Sequence, residues 1–189
     1  MSLLTVPEAI ESFKRGQMII LVDDQNRENE GDLIIAAQFA TPEIINTMIR
    51  KGGGIVCAVI EESTSRKLDL PLMVPENTSR HGTNFAVSID HTDCKTGISA
   101  FDRSLTIRAI ADPASLARDF RRPGHVLPIV AKEGGTLRRA GHTEGVIDFC
   151  RLAGLVPAGA LCEIVRDDGQ MAQMADLEQL AEELNCGIA

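Results

Sequence analysis

The 189-residue sequence contains no tryptophan and no tyrosine, and it has only six phenylalanines. Its formal net charge is −8, from 19 basic and 27 acidic residues. General nucleic-acid-binding modules use a basic face to hold phosphates and aromatic side chains to stack on bases. This composition therefore argues against nucleic acid as the partner.

Long apolar runs are also missing. The longest run near the start, residues 18–22, is too short for a membrane span or for the core of a signal peptide. The five cysteines form no C-x-x-C pair, so neither a disulfide framework nor a structural zinc site is indicated. The expectation is a cytoplasmic protein with no membrane association.

The hydrophobic fraction of 44% is sufficient for a folded core, and the length favours a single domain spanning residues 1–189. Apolar runs predict strands at 18–23, 32–37, 55–60, 84–90, 126–132 and 160–165. Helical patterns and caps predict helices at 5–16, 41–52, 62–68, 102–110, 113–120, 143–153 and 176–185. Because strands and helices alternate irregularly, the predicted class is α+β, with three layers: a mixed twisted sheet flanked by helices.

The charge is unevenly distributed along the chain. Residues 23–32 hold five acids and one arginine, and residues 121–142 hold five bases and one acid. Six further acids in residues 167–189 are attributed to the solvated face of the last helix. An acidic and a basic segment within one domain indicate a site for both a cation and an anion.

The acidic segment reads RENEGD at residues 27–32. If it is extended, the side chains of Glu28, Glu30 and Asp32 point to one face. Three converging carboxylates repel one another and are costly to bury, and a hard cation such as Mg²⁺ or Mn²⁺ relieves that cost. The alternative is an exposed acidic turn, and spacing alone does not separate the two.

The basic segment reads RRAGHTE at residues 138–144 and leads into a helix predicted to start near Thr143. Gly141 permits close approach of the backbone, and the free N–H groups of a helix start favour an anion. Arg139 could contact a phosphate, and His142 could serve as a metal ligand or a base. The alternative is an ordinary helix with Thr143 as its cap and a surface arginine pair.

Three further residues are candidates for a function because of their positions in the sequence. His125, in RPGHV, precedes a strand and could be structural or catalytic. Glu163 interrupts the apolar run GALCEIV; it needs a partner, a shifted pKa or a function if buried, and otherwise points outward. Cys57, like Cys162, is most simply a core thiol.

Taken together, the segments resemble the 3,4-dihydroxy-2-butanone 4-phosphate synthases of riboflavin biosynthesis. The resemblance runs in order along nearly the whole chain, through DDQNRENEGDLIIAA from Asp23, RHGTNFAVSID from Arg80, TGISAFDRSLTIRAI from Thr96, RPGHVLPIVAKEGG from Arg122, RRAGHTEGVIDFCRLAG from Arg138 and GALCEIV from Gly159. His81, within the second motif, is given no role. The sequence lacks the cysteine-rich zinc motif of GTP cyclohydrolase II, so the stand-alone form of the family is expected.

The resemblance implies a reaction in which D-ribulose 5-phosphate yields L-3,4-dihydroxy-2-butanone 4-phosphate and formate. It implies Mg²⁺ or Mn²⁺, with two ions per active site, and a homodimer whose sites lie near the subunit interface. The implied metal ligands are Glu28 and His142, and the implied essential catalytic residues are His125 and Glu163. The implied substrate contacts are Arg27, Glu28, Asp32, Arg139, Ala140, Gly141, His142, Thr143 and Glu163, with Thr96, Asp102 and Cys57 as neighbours.

We assign proton transfer near the metal to Glu163 and to the pair Glu30 and Asp32, with His125 assisting from a neighbouring strand. Two other functions remain open: another metal-dependent sugar-phosphate isomerase or aldolase, and a nucleotide- or RNA-binding module of related fold. A hydrolase using Cys57 and His125 is disfavoured, because an apolar strand should raise the pKa of the thiol.

Overall fold

The computed structural model describes residues 3–189 and contains a six-stranded sheet in that range, with strand order β1-β2-β6-β3-β5-β4. Its strands are β1 (Ile19–Val22), β2 (Gly31–Ala36), β3 (Cys57–Ile60), β4 (Ile89–His91), β5 (Phe120–Val130) and β6 (Ala158–Glu163). β3 and β5 are parallel, whereas the other neighbouring pairs are antiparallel. The predicted α+β class with a mixed sheet is confirmed.

Six α-helices in the described range cover the two faces of the sheet. They are α1 (Val6–Lys14), α2 (Pro42–Thr47), α3 (Glu62–Lys67), α4 (Ala100–Ala111), α5 (His142–Leu152) and α6 (Met174–Leu184). Alternate strand residues feed two separate apolar clusters. Ile34 packs with α1 and α5, whereas Leu33 and Ile35 pack with α2, α4 and α6. This alternation follows from the two-residue period of a strand and produces the expected three layers.

The acidic segment 27–32 is not extended throughout, so the condition set for the convergence of its side chains is not met. Residues 25–28 form a turn, Asn29 adopts the left-handed region at φ 56°, and β2 begins at Gly31. Asparagine tolerates this conformation better than most residues. The carboxylate of Asp23 accepts hydrogen bonds from the backbone N–H groups of Glu28 and Glu30, each at 3.0 Å, and thereby closes the turn.

The helix predicted at 113–120 is also wrong. The segment contains one 3₁₀ turn, Ala117–Asp119, and β5 already starts at Phe120. The side chain of Asp119 accepts a hydrogen bond from Leu116 N at 2.8 Å, and Phe120 pairs with His91 of β4. Strand pairing therefore overrides the local helical pattern. The strand predicted at 84–90 is reduced to β4, preceded by isolated bridges.

Within residues 3–189, each helix is too short or too polar to cross a lipid bilayer.

We predict that Ile34→Ala destabilises the protein by about 2–5 kcal/mol, because Ile34 is fully buried between the sheet and two helices and its truncation leaves a cavity. Urea denaturation followed by circular dichroism measures the change. Leu137→Ala is the control, because Leu137 is exposed, and it should change stability by less than about 0.5 kcal/mol. Equal effects of the two substitutions would contradict the position of Ile34 in the core.

Candidate active site

A cavity of about 320 Å³ opens beside the start of β2 and the end of β6. The pairing register places Asp32 directly opposite Glu163, which brings the acidic turn and the charged end of β6 together. Eight of the predicted site residues line the cavity: Arg27, Glu28, Glu30, Asp32, Arg139, His142, Thr143 and Glu163. The sequence analysis gave no role to the five other lining residues, His81, Thr83, Phe85, Ile129 and Leu161.

The centre of this cavity is a cluster of carboxylates around one imidazole. His142 Nδ1 lies 3.3 Å from Asp32 Oδ2 and 3.9 Å from Glu28 Oε2. Asp32 and His142 are buried, and Asp32 Oδ1 and His142 Nε2 have no hydrogen-bond partner. Buried polar atoms without partners are costly, so this donor set fits a divalent cation well.

Burial and the neighbouring charges also shift the pKa values of the groups in this cluster. Burial raises the pKa of Asp32 well above its ordinary range, and the negative charges of Glu163 and Glu28 add to the effect. Burial also raises the pKa of Glu30, helped by Glu28. Burial lowers the pKa of His142, which favours the neutral imidazole that binds metals.

Asp23 is a site residue that the sequence analysis missed. One ligand atom each from Asp23, Glu28 and His142 lie within 4.8 Å of one another. Asp23 also accepts a hydrogen bond from Arg27 Nη1 at 2.7 Å. Although burial opposes ionisation of Asp23, this bond and those from two backbone N–H groups lower its pKa. The sequence signal that could have identified Asp23 was its position, at the end of a predicted strand and the start of a polar turn.

Glu163 is held against the backbone of the preceding glycine run. Its Oε2 accepts a hydrogen bond from Ile55 N at 2.8 Å. A Cβ atom at Gly54 would lie 2.5 Å from that same oxygen, so only glycine leaves room for the carboxylate. Glu163 therefore faces the cavity in a fixed position, and the outward-pointing alternative is not observed.

Arg139 connects three parts of the site. Its Nη1 donates to Glu144 Oε2 at 2.6 Å, its Nε to the carbonyl oxygen of His81 at 3.0 Å, and its Nη2 to Thr83 Oγ1 at 3.1 Å. Glu144 is buried in the first turn of α5. Arg139 thus ties residues 77–84, which we call the strap, to the helix that carries His142.

The start of α5 differs from the alternative in which Thr143 caps the helix. The N-cap position is Gly141, no side chain caps the helix, and α5 begins at His142. The N–H groups of the first turn are then suited to an anion. Ala140 and Gly141 lie beside the cavity, where they line an adjacent groove with Leu21.

Three further predicted residues, His125, Asp102 and Thr96, belong to a second cluster. His125 Nδ1 lies 2.7 Å from Asp90 Oδ2, and His125 N donates to Asp90 Oδ1 at 2.9 Å. Gly97 packs so closely on this pair that a Cβ atom there would clash with both side chains. Asp102 accepts hydrogen bonds from the N–H groups of Lys95 and Gly97 and so fixes the loop that contains Thr96. Asp90 is another residue that the sequence analysis missed.

His125 does not lie on a strand adjacent to Glu163, because β3 separates β5 from β6. His125 is also absent from the lining of the cavity. Cys57 lies on β3 and is fully buried, and burial raises the pKa of its thiol well above the ordinary range. These features argue against a Cys57–His125 hydrolase.

The carboxylate–imidazole centre, the buried atoms without partners and the uncapped start of α5 define a class of protein. The class is that of enzymes whose cavity holds a divalent cation beside a small anionic ligand.

Comparison with known proteins agrees with this class. The family model for 3,4-dihydroxy-2-butanone 4-phosphate synthase matches residues 7–189. A relative of that name from Wolinella succinogenes is 53% identical over 183 residues, which cover 97% of this chain and 53% of the relative. The chain therefore belongs to the 3,4-dihydroxy-2-butanone 4-phosphate synthase family. It spans about half the length of the curated relatives it matches.

Two solved structures have the same fold. One is a two-domain 3,4-dihydroxy-2-butanone 4-phosphate synthase from A. baumannii, with a TM-score of 0.94 and 43% identity over 98% of this chain and 55% of that chain. The other is a 3,4-dihydroxy-2-butanone 4-phosphate synthase in complex with two magnesium ions, with a TM-score of 0.95 and 38% identity, covering 98% of this chain and 92% of that one.

We predict that Asp32→Asn stabilises the metal-free protein at neutral pH. The folded protein holds the pKa of Asp32 above its unfolded value of 3.8, so ionised Asp32 opposes folding above that pH. The penalty is absent below pH 3.8 and grows as the pH rises towards the higher pKa of the folded state. Urea denaturation in EDTA between pH 4 and 8 should therefore show a gain that increases with pH. A pH-independent difference would contradict the assignment.

Proposed function

We propose that this chain is a lyase that converts D-ribulose 5-phosphate to L-3,4-dihydroxy-2-butanone 4-phosphate and formate. The observation that carries the proposal is the cluster of Glu28, Asp32 and His142, in which the buried Asp32 Oδ1 lacks a partner, in a member of this family. We also propose that the protein works in the cytoplasm. The five free cysteines, four of them buried, support a reducing compartment.

Glu28 and His142 would hold Mg²⁺ or Mn²⁺, with Asp23 and Asp32 close by. A bound divalent cation supplies stabilisation for negative charge that develops on the substrate oxygens when a proton is removed next to the ketone. Two ions per site are proposed, in line with the related structure that contains two magnesium ions.

The carboxylates of the cavity are suited to move protons. The raised pKa of Glu30 makes it a stronger base than an ordinary glutamate, and Glu30 faces the cavity beside the cation-binding centre. Asp32, with its strongly raised pKa, can hold a proton and donate it when the first hydroxyl of the substrate leaves as water. Glu163 is positioned by Ile55 N for a second transfer.

The overall reaction is balanced without a redox partner. Proton removal gives an enediol, loss of a hydroxyl as water gives a diketone, and the carbon skeleton then rearranges. Addition of water releases the fourth carbon as formate, so the water that was lost is regained. The phosphate stays on the substrate throughout, and its binding at the start of α5 and by Arg139 can position the reacting carbons.

We predict that Glu28→Gln and His142→Ala each reduce formate release by more than about 100-fold, because each removes a proposed cation ligand. The assay incubates the protein with ribulose 5-phosphate and Mg²⁺, with and without EDTA, and measures formate. Glu133→Gln is the matched control, because Glu133 is an exposed acid outside the cavity. Near-normal activity in a folded Glu28→Gln or His142→Ala variant would refute the metal assignment.

The same assay separates the other functions that remain open. An isomerase or aldolase with this cavity would consume ribulose 5-phosphate without producing formate. A nucleotide- or RNA-binding module would release no formate and would bind RNA with a strong dependence on salt.

We further propose that the protein is a homodimer whose active sites combine residues of both subunits. His125 and Asp90 form an ordered pair on the rim of the sheet, yet they lie outside the cavity of their own chain. The side chain of His125 is 45% exposed. On α4, Phe101 and Leu105 lie four residues apart and are both exposed, Phe101 to 70%. A second copy would bury these two side chains and bring His125 to a neighbouring cavity.

A mixing experiment tests the shared site. His125→Ala and Glu28→Gln proteins should each be inactive, but unfolding and refolding them together should restore about a quarter of the wild-type activity. Half of randomly assembled dimers are mixed, and each mixed dimer has one intact site. No recovery in mixtures that light scattering identifies as dimers would show that each chain uses its own His125.

A further inference from the structure

The side chain of Glu28 lies between two imidazoles. Its Oε2 is 3.9 Å from His142 Nδ1, on α5, and its Oε1 is 3.7 Å from His81 Nε2, on the strap. Both histidines and Glu28 line the same cavity. Each oxygen of one carboxylate therefore faces a separate nitrogen donor.

Each of these two distances fits a cation held between Glu28 and one histidine. Two ligands at about 2.1 Å from one divalent ion are about 3 Å apart when they subtend a right angle and about 4.2 Å apart when they are opposite. Both Glu28–histidine distances fall within that range. We propose that His81 is a metal ligand, an inference that rests on the metal requirement of the proposed function. His81 and Glu28 Oε1 hold one cation, and His142 and Glu28 Oε2 hold the other.

The local charge favours more than one cation. Among the arginines and lysines that the structure describes, Arg27 alone pairs with the acids of the turn, through Asp23 and Glu28. Five carboxylates surround this one arginine, and divalent cations would offset their mutual repulsion; the carboxylates belong to Asp23, Glu28, Glu30, Asp32 and Glu163. The buried Asp32 Oδ1, which has no partner, independently indicates that the centre is completed by a ligand.

The strap holds His81 in place through its backbone. Arg139 Nε donates to the carbonyl oxygen of His81, and Arg139 Nη2 donates to Thr83 Oγ1. Asn77 Nδ2 also donates to the carbonyl oxygen of Thr83 at 2.9 Å, which closes the strap on itself. Because Arg139 is bonded to Glu144 of α5, both imidazoles are positioned from the start of one helix.

The site of His81 remains open on one side. The side chain of His81 is 32% exposed, whereas that of His142 is 7% exposed. With two protein ligands, the cation at His81 keeps positions for water or for substrate oxygens, which is the usual arrangement for Mg²⁺. The two cations thus differ in role: the one at His142 is enclosed, and the one at His81 faces the space that the substrate enters.

Binding of Mn²⁺ in the absence of substrate tests the proposal. Titration followed by electron paramagnetic resonance should show two Mn²⁺ per wild-type chain, with the spectrum of a coupled pair. His81→Ala should lose the coupled spectrum and weaken binding of one ion by at least about 10-fold, while the other ion keeps its affinity. Arg80→Ala is the matched control, because Arg80 is the exposed neighbour of His81 on the strap, and it should bind both ions.

His81→Asn, a smaller change at the same position, provides a second variant if His81→Ala does not fold. Two Mn²⁺ bound with unchanged affinity and an unchanged coupled spectrum in either folded variant would overturn the proposal, as would a wild-type protein that binds one ion. A wild-type protein that binds a His81-dependent pair of ions but releases no formate from ribulose 5-phosphate would refute the proposed function and leave the role of His81 intact.

Discussion

The hydrogen bonds of the Asp23 carboxylate are the interaction on which the site depends. By accepting from the N–H groups of Glu28 and Glu30 and from Arg27, this one side chain folds the chain between β1 and β2 into a turn. The turn directs Glu28 and Glu30 into the cavity against their mutual repulsion. Asp32 then follows within β2, where strand pairing places it opposite Glu163. The acidic centre is thus built from local hydrogen bonds and one antiparallel register.

Much of the fold could be predicted because its determinants are local. Buried strands such as β3 are short runs of apolar residues, and α1 and α2 begin at threonine–proline signals that the structure retains. The prediction failed at residues 113–120, where pairing of Phe120 with β4 outweighs a helical pattern. Local propensity carries no information about a strand that is supplied by a distant segment.

The site could be predicted only in part, for a related reason. The charged motifs identified eight of the lining residues, but they left open the backbone of the acidic segment, which depends on the hydrogen bonds of Asp23. Asp90 and His81 were missed, because each acts through a partner 35 or more residues away in the sequence. Gly54 follows the helix predicted at 41–52, and its role, making room for the carboxylate of Glu163, depends on a strand far along the chain.

The parallel pairing of β3 with β5 has a consequence for how the residues of the cavity are ordered. Between these two strands the chain runs through residues 61–119, which contain the strap, the edge strand β4 with Asp90, and α4. Closing so long a loop is entropically unfavourable until the strands pair, so contacts of this kind form slowly. The strap, which brings His81 to Glu28, therefore belongs to a part of the chain whose ordering carries a large cost in loop-closure entropy.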